Sequence, residues 1–309
     1  MIWKPFARTV LTLALVLIAS PVWAASLAIN FAADEPNGGN LAVVNGPAGA
    51  FLTGIWNNTT GASGTVTNLN LDNNGSSLAT SASVTWSSPN TWASIGRGEA
   101  NVTAPAGNDF NLMQGYLDTG DSNGVGVSIT VNNVPAQLGS SYDVAVYIKG
   151  GVNGRGGNYT IGGTTIEHND TAPFDGIYDF GPTGDWILFR GVTGSSFTLT
   201  SAATPAGFRA PINAIEVINS LPTVPGDSNG DDVADMLDFD EIRNNFLERV
   251  PAGSQGDVDL STIVDLKDFR LWKNAAGGSP SGVPEPSTAV LLVMGGAGLA
   301  LVRRIRTRG

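Results

Sequence analysis

The chain has no cysteine and one histidine in 309 residues. The first absence removes disulfides, thiolate nucleophiles and thiolate metal sites, so the fold must be held by its core or by a hard metal ion. The second removes His-rich zinc chemistry. A Ser-His-Asp triad would depend on His168, which lies in Glu167-His168-Asn169-Asp170 and reads as a solvated turn residue. No Gly-x-Ser-x-Gly elbow accompanies it. Charge is scarce as well, at 14% of residues, and unbalanced, with 16 Lys and Arg against 27 Asp and Glu. Between residues 26 and 220 there are 14 acidic and 5 basic residues. Such a surface repels nucleic acid and favours solubility, which excludes a nucleic-acid partner.

What the middle of the chain does have is Gly, Ser, Thr and Asn, with short alternating apolar segments and no helical period. Val125, Val127, Ile129 and Val131 alternate, as do Val144, Val146 and Ile148, and Phe197 with Leu199. Residues 28–31, 84–86, 186–189 and 212–218 add further strand candidates. Turn clusters such as Asn73-Asn74-Gly75 and Gly150-Gly151-Val152-Asn153-Gly154 separate them. Many short strands at this spacing predict a mostly β fold, a jelly-roll-type β-sandwich over residues 25–220. Residues 221–225, Leu-Pro-Thr-Val-Pro, form a stiff linker beyond it.

A sandwich with exposed aromatics can bind polysaccharide, because a flat ring covers the apolar face of a sugar. Trp92, Tyr178 and Trp186 fall in loop-like sequence and are the ligand-binding candidates, with Trp92 foremost. Trp56, Trp86, Tyr142 and Tyr147 read as core. Glycoside hydrolysis needs a pair of carboxylates. Glu35, Glu99, Glu167 and Glu216 are scattered, and Asp109, Asp118, Asp175, Asp179 and Asp185 sit in turn-rich sequence. The domain therefore reads as non-catalytic. A structural or adhesive matrix protein without a small-molecule ligand is the alternative, and a hydrolase using a carboxylate pair is the second.

The most specific pattern follows the linker. Asp227, Asn229, Asp231, Asp235 and Asp238 stand at positions 1, 3, 5, 9 and 12 of one loop, and Asp257, Asp259, Ser261, Asp265 and Asp268 at the same positions of another. With the backbone carbonyls of Val233 and Ile263 at position 7, each loop offers the hard oxygens that Ca²⁺ prefers, which predicts two calcium sites. The flanks repeat too, Phe239, Ile242, Arg243 and Asn244 being echoed 30 residues later by Phe269, Trp272, Lys273 and Asn274. Position 6 needs a left-handed backbone and holds Asp232 in one loop and Thr262 in the other. A β-branched residue there is strained, and Ser261 is a weaker ligand than Asp231, so the first loop is expected to bind more tightly.

This tandem over residues 226–276 resembles the type I dockerin module. The resemblance implies a small helical calcium domain and a cohesin-like protein partner. Loop positions 10 and 11 help choose that partner in the family. Here they are Met236-Leu237 and Leu266-Lys267, not the small hydroxyl pair common there.

Both ends carry addresses. Lys4 and Arg8, the apolar residues 10–20 and Val22-Trp23-Ala24 read as a signal peptide over 1–24, cleaved after Ala24. Residues 277–287 are a spacer ending in Pro284-Glu285-Pro286, and 288–309 comprise an apolar helix and an Arg-rich tail. This tail resembles PEP-CTERM sorting signals. That implies a bacterial protein exported to the cell surface or beyond, held transiently in the inner membrane by the tail helix and processed by an exosortase, with the arginines cytoplasmic.

Overall fold

The computed structural model describes residues 25–32, 42–96, 99–120, 126–204 and 209–276. The signal-peptide cleavage site at Ala24, the Pro284-Glu285-Pro286 motif and the tail helix lie outside the described residues. Among the described residues no helix is long and apolar enough to cross a membrane.

In chain order the first strands are β1 (Ser26–Ala32), β2 (Trp56–Thr60), β3 (Ser63–Thr67), β4 (Asn70–Asn73), β5 (Ser76–Ala79) and β6 (Ser83–Ser87). Next come β7 (Asn90–Ala93), β8 (Ile95–Gly96), β9 (Glu99–Ala100), helix α1 (Asn108–Gln114) and β10 (Gly115–Asp118). The remaining strands are β11 (Val127–Asn132), β12 (Ser141–Tyr147), β13 (Gly156–Ile161), β14 (Thr164–Asn169), β15 (Trp186–Thr193), β16 (Ser196–Ala203) and β17 (Ala214–Asn219). Helices α2 (Met236–Asn244) and α3 (Leu266–Ala275) close the described chain.

The strands form two main sheets, β15-β12-β17-β1-β4-β5 with β2 joined to β1, and β14-β13-β16-β11-β6-β3. Every pairing in them is antiparallel except β1 with β2. Alternation places one side chain in two inward. Val127, Ile129 and Val131 of β11, with Phe197 and Leu199 of β16, meet Ile29 and Phe31 of β1, Val144 and Val146 of β12 and Val217 of β17 in one buried cluster. Two sheets sharing a core in this way make a sandwich. The outer face of the second sheet is solvated, and its hydroxyls pair across strands: Thr65 with Thr85, Thr130 with Thr198, Thr160 with Thr165.

The first sheet is covered on both faces, which is why all seven residues of β1 are buried. Its second face carries Ala28, Ala145, Tyr147, Trp186, Leu188 and Ala214. They pack beneath Val44, Phe51, Leu112, Met113, Phe174 and Tyr178, and beneath Ala252 and Leu260 from the acidic-loop region. Tyr147 lies at the centre, with ring contacts to Trp56, Tyr178 and Trp186 at centroid distances of 6.2, 5.5 and 6.4 Å. Beside it Glu216 is fully buried and accepts from Tyr147 Oη at 2.7 Å and from Thr53 Oγ1. Burial, the largest influence, pushes the Glu216 carboxyl up to about 7 against these donors.

Several expectations change here. Trp186 and Tyr178 are 0% exposed, so neither offers a ring to a sugar, and both belong to this second core. His168 is no solvated turn residue either. It is buried on β14, its Nε2 lies 2.9 Å from Gly184 O, and burial pushes its pKa down to about 4. Beyond the linker the acidic-loop region touches the sandwich, where Ala252 N donates to Ala50 O at 2.9 Å and Arg249 bonds Asp109 at 2.6 Å.

Candidate functional site

Two sites emerge, the paired acidic loops and a small cleft around Trp92. In the first loop Asp227 turns the chain by accepting from Gly230 N at 2.7 Å and Asp232 N at 2.9 Å. In the second, Asp257 accepts from Ser261 N at 3.1 Å and Thr262 N at 3.0 Å. Position 12 closes each loop, with Asp238 taking Ser228 N and Asp235 N, and Asp268 taking Val258 N and Asp265 N. Both helices then start on identical capping boxes, Asp235 with Asp238 and Asp265 with Asp268. Position 6 is left-handed in both, at φ 65° for Asp232 and 68° for Thr262, so the backbone is as the ligand spacing requires. Thr262 is fully buried and its hydroxyl has no partner among the described residues, which adds to its strain.

The helices lock together through Phe239, Phe269 and Trp272. The Phe239 and Trp272 rings stack at 5.0 Å, and Trp272 Nε1 donates to Asp235 O at 2.6 Å. Ile242, Val250, Val264 and Trp272 form the small core between the loops.

The donor set of the second loop could hold a hard divalent ion. Carboxylate oxygens of Asp257, Asp259 and Asp268 lie within 4.8 Å of one another. Burial and the charge of Asp268 push the Asp257 carboxyl up to about 8, as expected where like charges converge without a cation. Lys267 Nζ meets Asp259 at 2.6 Å. Ser261 Oγ lies 3.1 Å from Ile263 O, which places the position 5 and position 7 oxygens together. In the first loop Asn229 holds position 3, and Asp231 accepts from Val233 N at 3.0 Å. Tight convergence of three carboxylates is thus found in the second loop, although the first was expected to be the better site.

The second site lies on the ribbon β7–β10, which was not recognised as strands in the sequence. Trp92 stands directly across from Tyr116 in its register. Trp92 is half-buried on a strand and not in a loop, and its Nε1 donates to Glu99 Oε1 at 3.1 Å. Trp92, Glu99, Tyr116, Gly151, Val152, Arg155 and Arg209 line a recess of about 50 Å³. Gly151 lies in its wall, where a Cβ would come within 2.5 Å of Glu99 Cγ, and at the neighbouring Gly150 one would come within 2.5 Å of Arg155 Cβ. Arg209 pairs with Asp118 at 2.5 Å. The guanidinium of Arg155 has no hydrogen-bond or ion-pair partner among the described residues, and Glu99 Oε2 likewise has none. The recess therefore presents an aromatic ring and a donor fork, with Glu99 Oε2 buried beside them.

Among the remaining acidic candidates, Asp109, Asp175 and Asp185 hold structure. Asp109 pairs with Arg249, and Asp185 with Asp170 flanks the buried Lys149 ammonium, each at 2.7 Å. Asp175 accepts from Ile177 N in a turn. The sequence points to Trp92, and to Glu99 as one of several scattered carboxylates, but not to Arg155 or Tyr116. The glycine pair at 150–151 is the signal beside them, and in sequence it reads as turn chemistry.

No protein-family model and no curated protein matches the chain. Three solved structures overlap part of it. A carbohydrate-binding module of Clostridium perfringens, solved with GalNAc-β-1,3-galactose, is 15% identical with a TM-score of 0.24, covering 44% of this chain and 94% of that one. A family 32 module from NanJ of the same organism, solved with galactose, is 17% identical with a TM-score of 0.22, covering 44% and 93%. An exo-β-1,3-galactanase of Phanerochaete chrysosporium, also with galactose, is 16% identical with a TM-score of 0.24, covering 47% and 31%. Scores this low carry no functional inference, and the reading of the site rests on its own residues.

Proposed function

We propose that this is an exported, calcium-binding, non-catalytic surface or extracellular-matrix protein whose jelly-roll-type sandwich binds polysaccharide at the Trp92 recess. The observation that carries it is the meeting of Trp92, Arg155 and Glu99 on one glycine-walled rim. The Trp92 ring covers the apolar face of a sugar, Arg155 donates to its hydroxyl oxygens, and Glu99 fixes the ring through its bond from Trp92 Nε1. A hydrolase would need a second carboxylate beside Glu99, and among the described residues that line the recess Glu99 is the one acidic side chain.

Calcium would be held by Asp227, Asn229, Asp231, Val233 O, Asp235 and Asp238, and by Asp257, Asp259, Ser261, Ile263 O, Asp265 and Asp268. Bound there, it supplies the charge that lets these oxygens sit together. Export rests on the two end motifs, with an exosortase as processing partner. Mass spectrometry of protein recovered from the medium checks this: a chain beginning at Ala25 and lacking the tail supports it, and an intact peptide across Pro286 and Thr288 contradicts it. The cohesin-like partner stays with the dockerin resemblance, and the exposed Met236, Leu237 and Leu266 are the side chains such a partner would meet.

A glycan array probed with residues 25–276, in calcium and in chelator, tests the ligand. Saturable binding to at least one polysaccharide is expected. A blank array under both conditions replaces the sugar reading with that of a structural matrix protein.

A further inference from the structure

The two acidic loops are alike in sequence and unlike in surroundings. At position 4 the first loop has Gly230, exposed, and the second has Leu260, buried in the cluster that contains Phe51, Tyr178 and Trp186. Asn229, Asp231, Val233 and Asp235 of the first loop are all exposed, whereas none of their second-loop counterparts is. Residues 247–250 run antiparallel to 262–264. Val250 N donates to Thr262 O at 2.9 Å, Leu247 N to Val264 O at 2.7 Å, and Val264 N to Glu248 O at 3.1 Å. This short ladder sets Arg249 directly opposite Ile263, the position 7 residue.

From that position Arg249 leaves the ladder and enters the sandwich. Its guanidinium bonds Asp109 at 2.6 and 3.3 Å and Gly49 O at 3.1 Å, and it lies 5.5 Å from the centre of the Tyr178 ring. Asp109 in turn receives Tyr178 Oη and Gly49 N, both at 3.0 Å. Three links therefore run from the second loop to the second core: Leu260 through packing, Ala252 through its bond to Ala50, and Arg249 through Asp109.

We infer that the second calcium loop and the sandwich form one cooperative unit, in which calcium at loop two holds the second core closed, while loop one binds independently. The inference rests on the calcium reading above. The carboxylates of Asp257, Asp259 and Asp268 lie within 4.8 Å of one another with Lys267 reaching Asp259 alone, so Asp257 and Asp268 repel one another without a metal ion. Relieving that repulsion fixes residues 257–268, and with them the placement of Leu260 and the ladder that aims Arg249. Linkage is reciprocal, so whatever calcium adds to the sandwich, an intact sandwich adds to the calcium affinity of loop two.

The test uses the mature chain with one loop disabled at a time, Asp227→Ala leaving loop two and Asp257→Ala leaving loop one. Calcium affinity is read by titration calorimetry and the sandwich by its tryptophan emission on heating. Asp109→Asn lies on the sandwich, far from either loop in sequence. It should weaken calcium binding about tenfold in the Asp227→Ala background and not in the Asp257→Ala background, a factor typical of coupled sites. Leu260→Gly is the second probe. Leu260 has φ 66°, which glycine adopts freely, so this change removes the packing link without straining the turn. It should have the same selective effect, and calcium should raise the sandwich midpoint only where loop two is intact.

If calcium binds but both variants leave loop-two affinity within twofold of the parent, the coupling is wrong and the calcium reading stands. If no binding heat is seen at millimolar calcium in the unsubstituted chain, the calcium reading itself falls, and the coupling with it.

Discussion

At the scale of single residues, the buried ionisable groups decide how the fold responds to pH. Glu216 is fully buried and held up to about 7 by burial, against 4.5 for an ordinary glutamate. A group whose folded pKa is raised binds its proton more tightly when folded. Its contribution is fully present below the unfolded pKa and is lost as pH rises, here from about 4.5 to about 7. The shift corresponds to roughly 3 kcal/mol. His168 acts in the opposite sense: with its pKa pushed down to about 4 from 6.5, stability falls as pH drops through that interval. The two contributions oppose one another between about pH 4.5 and 6.5, and Asp185, pushed up to about 6 by burial, acts in the same sense as Glu216. By denaturant unfolding from pH 4 to 8, Glu216→Gln should shift the slope of stability against pH between about 4.5 and 7 in the positive direction relative to the parent. A slope unchanged in that variant contradicts the assignment. Neither residue was legible beforehand, because sequence gives no measure of burial, and a polar tetrapeptide around His168 looks the same whether it caps a turn or pairs in a strand.

At the scale of elements, legibility followed the strength of the local pattern. Strands with clean alternation, such as β11 and β16, and residues 28–31 of β1 could be read from the sequence. The ribbon β7–β10 could not, since Asn90-Thr91-Trp92-Ala93 and Gly115-Tyr116-Leu117-Asp118 are too short to alternate visibly and pair across a long gap. Helix α1 was missed for a similar reason: seven residues with only Leu112 and Met113 buried give no period. The acidic loops were the most legible elements because ligand spacing, caps and flanks all repeat. Even the left-handed turn at position 6 was foreseen. That turn supports a further prediction. Thr262→Gly removes a β-branched residue from φ 68° and an unpartnered buried hydroxyl, changes worth about 1–2 kcal/mol that offset the lost side-chain burial. Urea unfolding in chelator should show stability equal to the parent or up to about 1 kcal/mol higher. A loss beyond about 1 kcal/mol would mean that the Thr262 side chain contributes more through packing than its backbone costs.

At the scale of the whole molecule, the surprise is where the aromatics went. Tyr178 and Trp186 serve the seam between the sandwich and the second acidic loop, a seam that sequence cannot show because its partners, Asp109 and Arg249, are 140 residues apart. What remains for a ligand is the opposite kind of site, half-buried and mixed in chemistry, at Trp92 with Arg155 and Glu99. The measurement that tests this most directly is polysaccharide binding by Trp92→Ala beside its thermal midpoint. Trp92 is half-buried, so truncation should cost about 1–2 kcal/mol, against the 3–5 kcal/mol of a core tryptophan. Loss of binding to a glycan that the parent chain holds, with a small shift in midpoint, is the expected result. Undiminished binding by the Trp92→Ala chain would contradict the recess as the sugar site.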